Sequence, residues 1–244
     1  MKRLLLPLLL FASCKSAPPA QTTLRVAAAS DLTEAWTELG TRFEAQTKIK
    51  VVFSFGSSGL LAKQIAEGAP FDVFAAANAG FVDTTVKAGA CDGTTAQRYA
   101  KGRIAAWSLD GPLPSIESIA DEKNKRIALA NPEHAPYGKA AKEALQKAGL
   151  WEKLEPRIVY AENVRQALQQ AATGNAEVAL VAYSNVINRK DGVTLLLDET
   201  LYAPIEQSLV QCSRGGQPEA AKRFIEFLKT DEALELMKRS GFSP

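Results

Sequence analysis

Four turns of the chain place hydroxyl, phenol or amide side chains just before a predicted helix. They lie at Ser30, at Ser57-Ser58, at Tyr137-Gly138 and at Asn163-Val164. The first N–H groups of a helix have no partner within the helix, and serine and tyrosine hydroxyls add further donors. A helix N-terminus also carries about half a unit of positive charge. Such groups bind anions, so these turns indicate the capture of a small oxyanion at several junctions.

The residues around these turns also indicate which anions are suited to the site. Basic residues are rare there, and Arg165 is the one that directly follows a turn. Neutral donors favour a tetrahedral anion without a proton, because such an anion offers acceptors only. Asp31, next to Ser30, is a conceivable acceptor for the proton of hydrogen phosphate. We expect Asp31 instead in the first helical turn, where its charge suits the helix dipole.

The elements that position these turns follow one plan, in which a strand leads through a turn into a helix. The segment 24–29 is an apolar run typical of a buried strand, and apolar residues then recur at helical spacing from Leu32 to Phe43. Ser30 stands at the junction, where its hydroxyl is expected to cap the helix. Two well-formed units of this plan precede residue 105 and two follow it. The pattern predicts an α/β fold with mostly parallel sheets in two similar lobes.

Composition and charge are those of an ordinary globular protein. The chain has 244 residues, of which 46% are hydrophobic and 23% charged, enough for two lobes of about 100 residues. There are 29 basic and 27 acidic residues, and two of the basic ones, Lys2 and Arg3, lie in a predicted targeting segment. The remainder is neutral with scattered signs, which gives no support to nucleic-acid binding.

The N-terminus predicts export. A basic start is followed by the apolar run 4–11 and by Ala12-Ser13-Cys14, which resembles a bacterial lipoprotein cleavage site. We therefore predict a signal peptide over residues 1–13, lipidation of Cys14 and a flexible tether over residues 14–23. The alternative is an ordinary signal peptide cut elsewhere. Either reading places the protein in the periplasm or at the cell surface, and the run is too short to span a bilayer.

Two further cysteines, Cys91 and Cys212, form an even pair, which suggests a disulfide in an exported protein. The alternative is two separate buried thiols. The lone histidine, His134, is interpreted as a loop-ordering residue, because a metal site needs several converging ligands. An exported hydrolase using Ser30 or Ser58 would need His134 as its base, and neither serine lies in a G-x-S-x-G motif.

Several longer motifs resemble the molybdate-binding proteins of ABC transporters, in that family's order and spacing from Leu24 to the end of the chain. The matching stretches are Ala27-Ala28-Ala29-Ser30-Asp31-Leu32, Ser54-Phe55-Gly56-Ser57-Ser58-Gly59, Gly68-Ala69-Pro70-Phe71-Asp72-Val73-Phe74, Asn131-Pro132-Glu133-His134-Ala135-Pro136-Tyr137-Gly138, Ala161-Glu162-Asn163-Val164-Arg165-Gln166-Ala167-Leu168 and Leu236-Met237-Lys238-Arg239-Ser240-Gly241-Phe242. The resemblance implies a two-lobed periplasmic binding protein fold of type II, each lobe a mixed, mostly parallel sheet flanked by helices. Lobe 1 would comprise residues 24–104 and 205–244, and lobe 2 residues 105–204.

The resemblance also implies a ligand and the residues that bind it. Molybdate or tungstate would lie in the cleft, with no resident cofactor and no direct side-chain coordination of the metal, and a monomer would deliver it to an ABC transporter permease. Ser30 and Ser58 would bind through hydroxyl and N–H, Tyr137 and Val164 through N–H, and Tyr183 through its hydroxyl. A second tier of candidates comprises Asp31, Ser57, Asn163 and Ser184.

Two positions depart from some members of that family. Asp31 stands where some have leucine, so its side chain must point away from the anion. Tyr137 stands where some have alanine, which changes little if only its N–H binds. Three alternatives remain open from the sequence: the same fold binding sulfate or a small organic anion, a sensory domain that reports the anion, and the exported hydrolase.

Overall fold

The structure is a computed structural model that describes residues 21–243. The predicted signal peptide, the lipidation site Cys14 and most of the tether lie outside the described residues. The strands are β1 Thr23–Ala29, β2 Lys50–Gly56, β3 Val73–Ala76, β4 Cys91–Gly102, β5 Ile104–Ser108, β6 Ile127–Ala130, β7 Ile158–Ala161, β8 Val178–Ala182, β9 Val193–Leu196 and β10 Ile205–Cys212. The helices are α1 Thr33–Thr47, α2 Ser58–Ala66, α3 Ala79–Lys87, α4 Pro136–Lys147, α5 Trp151–Leu154, α6 Val164–Ala172, α7 Pro218–Phe227 and α8 Asp231–Arg239. Short 3₁₀ turns include Ser30–Leu32 and Tyr183–Asn185. None of the helices in residues 21–243 is long and apolar enough to cross a membrane.

The strands form two five-stranded mixed sheets, in the orders β2-β1-β3-β10-β4 and β7-β6-β8-β5-β9. In the first sheet β1 pairs in parallel with β2 and β3, while β10 runs antiparallel to β3 and β4. In the second sheet β6 pairs in parallel with β7 and β8, while β5 runs antiparallel to β8 and β9. The predicted α/β fold with two mixed sheets is therefore confirmed.

The chain crosses between the two sheets twice. Gly102 ends β4 in the first sheet, and Ile104 begins β5 in the second. The return passes through residues 197–204 into β10. Hereafter lobe 1 is the first sheet with α1–α3, α7 and α8, and lobe 2 is the second sheet with α4–α6. Gly102 on β4 and Gln207 on β10 both lie next to Tyr137 of lobe 2.

Burial in the core accounts for the central strands of both sheets and for the position of helix α1. Strands β1, β3, β6 and β8 are buried almost throughout, as expected for central strands covered by helices on both faces. Helix α1 buries the stripe that its spacing predicts, and Trp36 lies at its centre. The Trp36 ring packs against Phe224 at 5.7 Å and Tyr99 at 5.6 Å between centroids. This aromatic cluster fixes α1, and with it the turn that precedes the helix.

Two features differ from the sequence reading. Strand β4 was not expected, because its residues are mostly polar and many are exposed, as on an edge strand. Helix α4 begins at Pro136, so Tyr137 and Gly138 lie in its first turn and not before it, because proline is well tolerated at the first helical position.

Cys91 and Cys212 are joined by a disulfide, as paired residues at one end of the β4–β10 ladder. The bridge links positions 121 residues apart, and the whole of lobe 2 lies between them in sequence.

Candidate oxyanion-binding site

Three helix N-termini converge on one small cavity between the lobes. Helix α2 arrives from lobe 1, and α4 and α6 arrive from lobe 2. The cavity is small, with a volume of about 10 Å³. Its lining residues are Ala29, Ser30, Asp31, Gly56, Ser57, Ser58, Ala77, Ala135, Pro136, Tyr137, Asn163 and Val164. All four turns that the sequence singled out are thus brought together around one space.

The N–H groups at these helix starts are left for a ligand. The side-chain oxygen of Asn163 accepts from the N–H groups of Arg165 and Gln166, both at 3.1 Å, and so caps α6. The N–H of Val164 at the first helical position takes no part in that cap. The N–H groups of Ser58 and Tyr137 lie in the first turns of α2 and α4, where no intrahelical acceptor exists. Of the lining residues, which all lie within 21–243, none is a lysine, arginine or histidine.

The two serines expected to bind through hydroxyls differ in their surroundings. Ser58 Oγ accepts the N–H of Ala77 at 3.0 Å, so its own hydrogen is left to donate elsewhere. Ser30 begins the 3₁₀ turn, and its carbonyl accepts the hydroxyl of Thr33 at 2.8 Å. The expectation that the Ser30 hydroxyl caps the helix is wrong, because its main-chain carbonyl takes part in the turn instead. The Ser30 side chain remains on the cavity wall.

Asp31 occupies an unexpected position on the same wall. Its side chain is buried, and Oδ2 accepts the Tyr137 hydroxyl at 2.9 Å and Gln207 Nε2 at 2.6 Å. Oδ1 is also buried and has no hydrogen-bond partner in the described protein. Burial raises the pKa of Asp31 to about 7, although the hydrogen bonds from Tyr137 and Gln207 oppose the shift. Asp31 lies in the first helical turn, as expected, but burial acts against its charge there.

Tyr137 contributes its phenol, as well as its main-chain N–H group, to the surroundings of the cavity. Its phenol reaches from lobe 2 to the Asp31 carboxylate in lobe 1, and burial raises its pKa well above the usual value. It fits because Gly102 has no side chain: a Cβ there would lie 1.9 Å from the Tyr137 hydroxyl oxygen. The expectation that tyrosine in place of alanine changes little is thus corrected. Sequence reasoning missed Gln207 and Gly102, since neither lies in a motif or at a helix start.

Tyr183 and Ser184 lie outside the cavity. The guanidinium carbon of Arg103 lies 4.9 Å from the centre of the Tyr183 ring, whose edge faces Gly241. Ser184 Oγ donates to the main-chain carbonyl of Asp31 at 2.8 Å, so it supports the turn from behind. Neither Tyr183 nor Ser184 is among the residues that line the cavity, and the ligand-binding hydroxyl at Tyr183 stays a prediction.

A family model for bacterial extracellular solute-binding proteins matches residues 24–243. The chain belongs to this family. Among its relatives, the molybdate-binding protein ModA of Rhodobacter capsulatus is 38% identical over 226 residues, covering 92% of this chain and 90% of the relative. ModA of Escherichia coli is 32% identical, with 96% and 93% covered. The predicted kinship with molybdate-binding proteins of ABC transporters is confirmed.

A solved structure supports the same assignment. The periplasmic molybdate-binding protein of Azotobacter vinelandii superimposes with a TM-score of 0.86 at 31% identity, covering 91% of this chain and 99% of that one. The expected periplasmic binding protein fold is thereby confirmed. As an extracellular solute-binding protein, the chain belongs to a class that acts outside the cytoplasm, in agreement with the predicted export.

His134 makes several of the hydrogen bonds between the two lobes of this solute-binding protein. Its carbonyl accepts the N–H of Gly59 at 2.9 Å and the hydroxyl of Ser57 at 2.6 Å, and its Nδ1 lies 2.9 Å from the same hydroxyl. The hydrolase alternative required His134 to contact Ser30 or Ser58, and its ring contacts Ser57 instead. Across residues 21–243 no carboxylate is hydrogen-bonded to the His134 ring, so the orienting group of a catalytic triad is missing there.

A wider depression adjoins the cavity on the solvent side. It shares Ser30 and Asn163 with the cavity and is also lined by Glu34, Arg165 and Arg189. Arg165 Nε lies 3.9 Å from Glu34 Oε1, so an ion pair between the lobes borders the route to the cavity. No group of three or more His, Cys, Asp or Glu side chains suited to a metal ion occurs within the described part of the chain.

Proposed function

We propose that this solute-binding protein captures molybdate or tungstate between its lobes and delivers it to the permease of an ABC importer. The proposal includes no chemical conversion of the ligand and no resident cofactor. The anion would be held through its oxygens, by Ser30, Ser58, Tyr137 and Val164.

One observation carries the proposal: uncharged donors from both lobes surround one small cavity. Three helix N-termini supply N–H groups and a favourable field, which suits an anion that offers only acceptors. The ModA relatives are named for molybdate binding, and they match this chain over nearly its whole length. The geometry of the cavity and the similarity to these relatives favour the same class of ligand.

Sulfate is the nearest competing ligand, because it has the same shape and charge. Molybdate and tungstate are larger, so the size of the cavity in the closed protein decides between them. The lobes already touch through Gly59 and His134, which limits how far the walls can adjust to a smaller anion. Because the ModA relatives are named for molybdate binding, we propose a preference for the larger anions.

Attachment and assembly form the second part of the proposal. Lipidation of Cys14 would anchor a monomer to the membrane through the tether, so that loaded protein stays close to the permease. Metabolic labelling with a fatty acid tests this part, and a Cys14→Ser variant should lose the label and be released from the membrane.

The ligand is tested by calorimetry and thermal unfolding with molybdate, tungstate, sulfate and phosphate. At one hundred times Kd a ligand stabilises the folded state by about 2.7 kcal/mol, which raises the Tm of a protein of this size by roughly 5–10 °C. We expect this rise with molybdate and tungstate at micromolar concentration. A larger rise with sulfate or phosphate, or none with any of the four, would overturn the proposal.

A further inference from the structure

A negative charge on Asp31 would be unfavourable for the proposed function. Asp31 lines the cavity that would receive a dianion, yet a carboxylate there would repel that anion. In residues 21–243 no cation is among its hydrogen-bond partners, which are the Tyr137 hydroxyl and the Gln207 amide. The side chain is only 1% exposed, so solvent does not screen its charge.

The hydrogen bonds show which oxygen would carry a proton. Oδ2 accepts from two donors, at 2.9 Å from Tyr137 and 2.6 Å from Gln207. Gln207 Nε2 also lies 3.3 Å from the Tyr137 hydroxyl oxygen, which leaves that hydroxyl free to donate to Asp31. Oδ2 therefore behaves as the carbonyl oxygen of a carboxylic acid. Oδ1 is buried and without a partner, which costs free energy unless a ligand satisfies it.

We propose that Asp31 enters the anion complex as a neutral carboxylic acid, so that the site takes up one proton with each tetrahedral dianion. The proton comes from solvent and resides on Oδ1, which then donates a hydrogen bond to a ligand oxygen. This inference rests on the proposed function and identifies Asp31 as a residue that determines specificity. The neutral acid favours fully deprotonated anions, whereas an ionised Asp31 would favour an anion that brings its own proton.

The surroundings of Asp31 support the neutral form. Burial already raises its pKa to about 7 in the absence of an anion, and the charge of Glu34 acts in the same direction. A dianion in the cavity raises the pKa further, because like charges disfavour ionisation. Several titratable or charged groups surround Asp31 and the cavity mouth. They are Glu34 on α1, Tyr99 on β4, Tyr137 on α4, Arg165 on α6, Arg189 at the mouth, Tyr183 in the 3₁₀ turn behind Asp31 and His134 beside Ser57.

Calorimetry measures the proton directly. Sodium molybdate is titrated into the purified protein at pH 8 in two buffers with different ionisation enthalpies, neither of them phosphate. The difference in observed enthalpy should correspond to about one proton taken up per anion bound. Between pH 7 and 9 the Kd of the wild-type protein should rise by up to about tenfold per pH unit.

Asp31→Asn is the matched variant, because an amide keeps the hydrogen-bond pattern of the neutral acid at every pH. Its oxygen accepts from Tyr137 and Gln207, and its NH₂ donates to the ligand. We expect Asp31→Asn to bind molybdate without proton uptake and with a Kd that is constant from pH 7 to 9. Tyr137→Phe removes a hydrogen bond that lowers the pKa of Asp31, so its affinity should start to fall at a higher pH than that of the wild-type protein.

The outcomes separate this inference from the proposed function. Molybdate binding by the wild-type protein without proton uptake, or with a flat pH profile, overturns the role of Asp31 and leaves the proposed function intact. Loss of proton uptake in His134→Gln, with uptake retained in Asp31→Asn, also overturns it. If neither molybdate nor tungstate binds at any pH, both proposals fail. Should Asp31→Asn not fold, the wild-type proton count and the Tyr137→Phe profile decide the matter.

Discussion

The N–H of Gly59 in lobe 1 donates to the carbonyl of His134 in lobe 2 at 2.9 Å, and the two main chains are in direct contact there. A Cβ added to Gly59 would lie 2.8 Å from the His134 carbonyl oxygen and 3.0 Å from its Cα. Those atoms belong to the backbone and cannot rotate away. The lobes can therefore close fully around the cavity only while residue 59 is glycine.

Gly59→Ala should weaken anion binding by at least about tenfold, or about 1.4 kcal/mol, because the side chain wedges the lobes apart. The stability of lobe 1 should not fall, since alanine is a better helix former than glycine by up to about 1 kcal/mol. Calorimetry gives the affinity, and small-angle scattering should show a larger radius of gyration for the variant in saturating molybdate.

Gly80→Ala is the control for that prediction. Gly80 is also the second residue of its helix, and an added Cβ there would meet only the end of the Asn78 side chain, at 2.9 Å. It should bind as the wild-type protein does. Equal affinities for all three proteins would show that the contact between Gly59 and His134 does not limit closure.

Ser58→Ala should weaken molybdate binding by roughly 1–3 kcal/mol, the usual cost of losing a hydrogen bond to a charged group. The Ser58 hydroxyl accepts the Ala77 N–H, so its hydrogen is available to the anion. Ser208→Ala makes the same chemical change at a buried hydroxyl on β10 that has no partner in the described protein. Calorimetry should find the Ser208 variant unchanged. An unchanged affinity for Ser58→Ala would remove Ser58 from the site.

The sequence predicted the turns around the cavity because each turn depends on local rules. Ser58, Tyr137 and Val164 lie at helix starts, and apolar periodicity locates helix starts in any sequence. It did not predict the contacts of Asp31, because its partners Tyr137 and Gln207 are 106 and 176 residues away. Strand β4 was missed for a related reason. Its polar, exposed residues show no apolar pattern, and pairing with β10 fixes its structure.

Loss of the disulfide is expected to lower the stability of the protein without changing its affinity for molybdate. A double Cys91→Ala, Cys212→Ala variant loses a bridge between residues 121 apart, which should lower the free energy of unfolding by about 2–5 kcal/mol. The bridge lies at the opposite end of β4 from Gly102, which contacts the cavity residue Tyr137. Molybdate affinity should therefore change less than about twofold. Denaturant unfolding and calorimetry on the same preparation measure both, and a large loss of affinity would mean that the bridge helps to position the crossing strands.

The raised pKa of Asp31 also predicts how stability depends on pH when no anion is bound. Between about pH 4 and pH 7 the folded protein retains a proton on Asp31 that the unfolded chain has lost. The free energy of unfolding should therefore fall as pH rises through this window, by at most about 1.4 kcal/mol per unit, and level off above it. Carboxyl groups with lowered pKa, such as Asp92 and Glu177, have the opposite effect, but at the lower end of this window and below it. Urea unfolding in buffer free of oxyanions measures how the free energy of unfolding changes with pH in the wild-type protein and in Asp31→Asn. The variant should lack the decline between pH 4 and 7, and parallel curves would show that Asp31 ionises in the folded protein as it does in the unfolded chain.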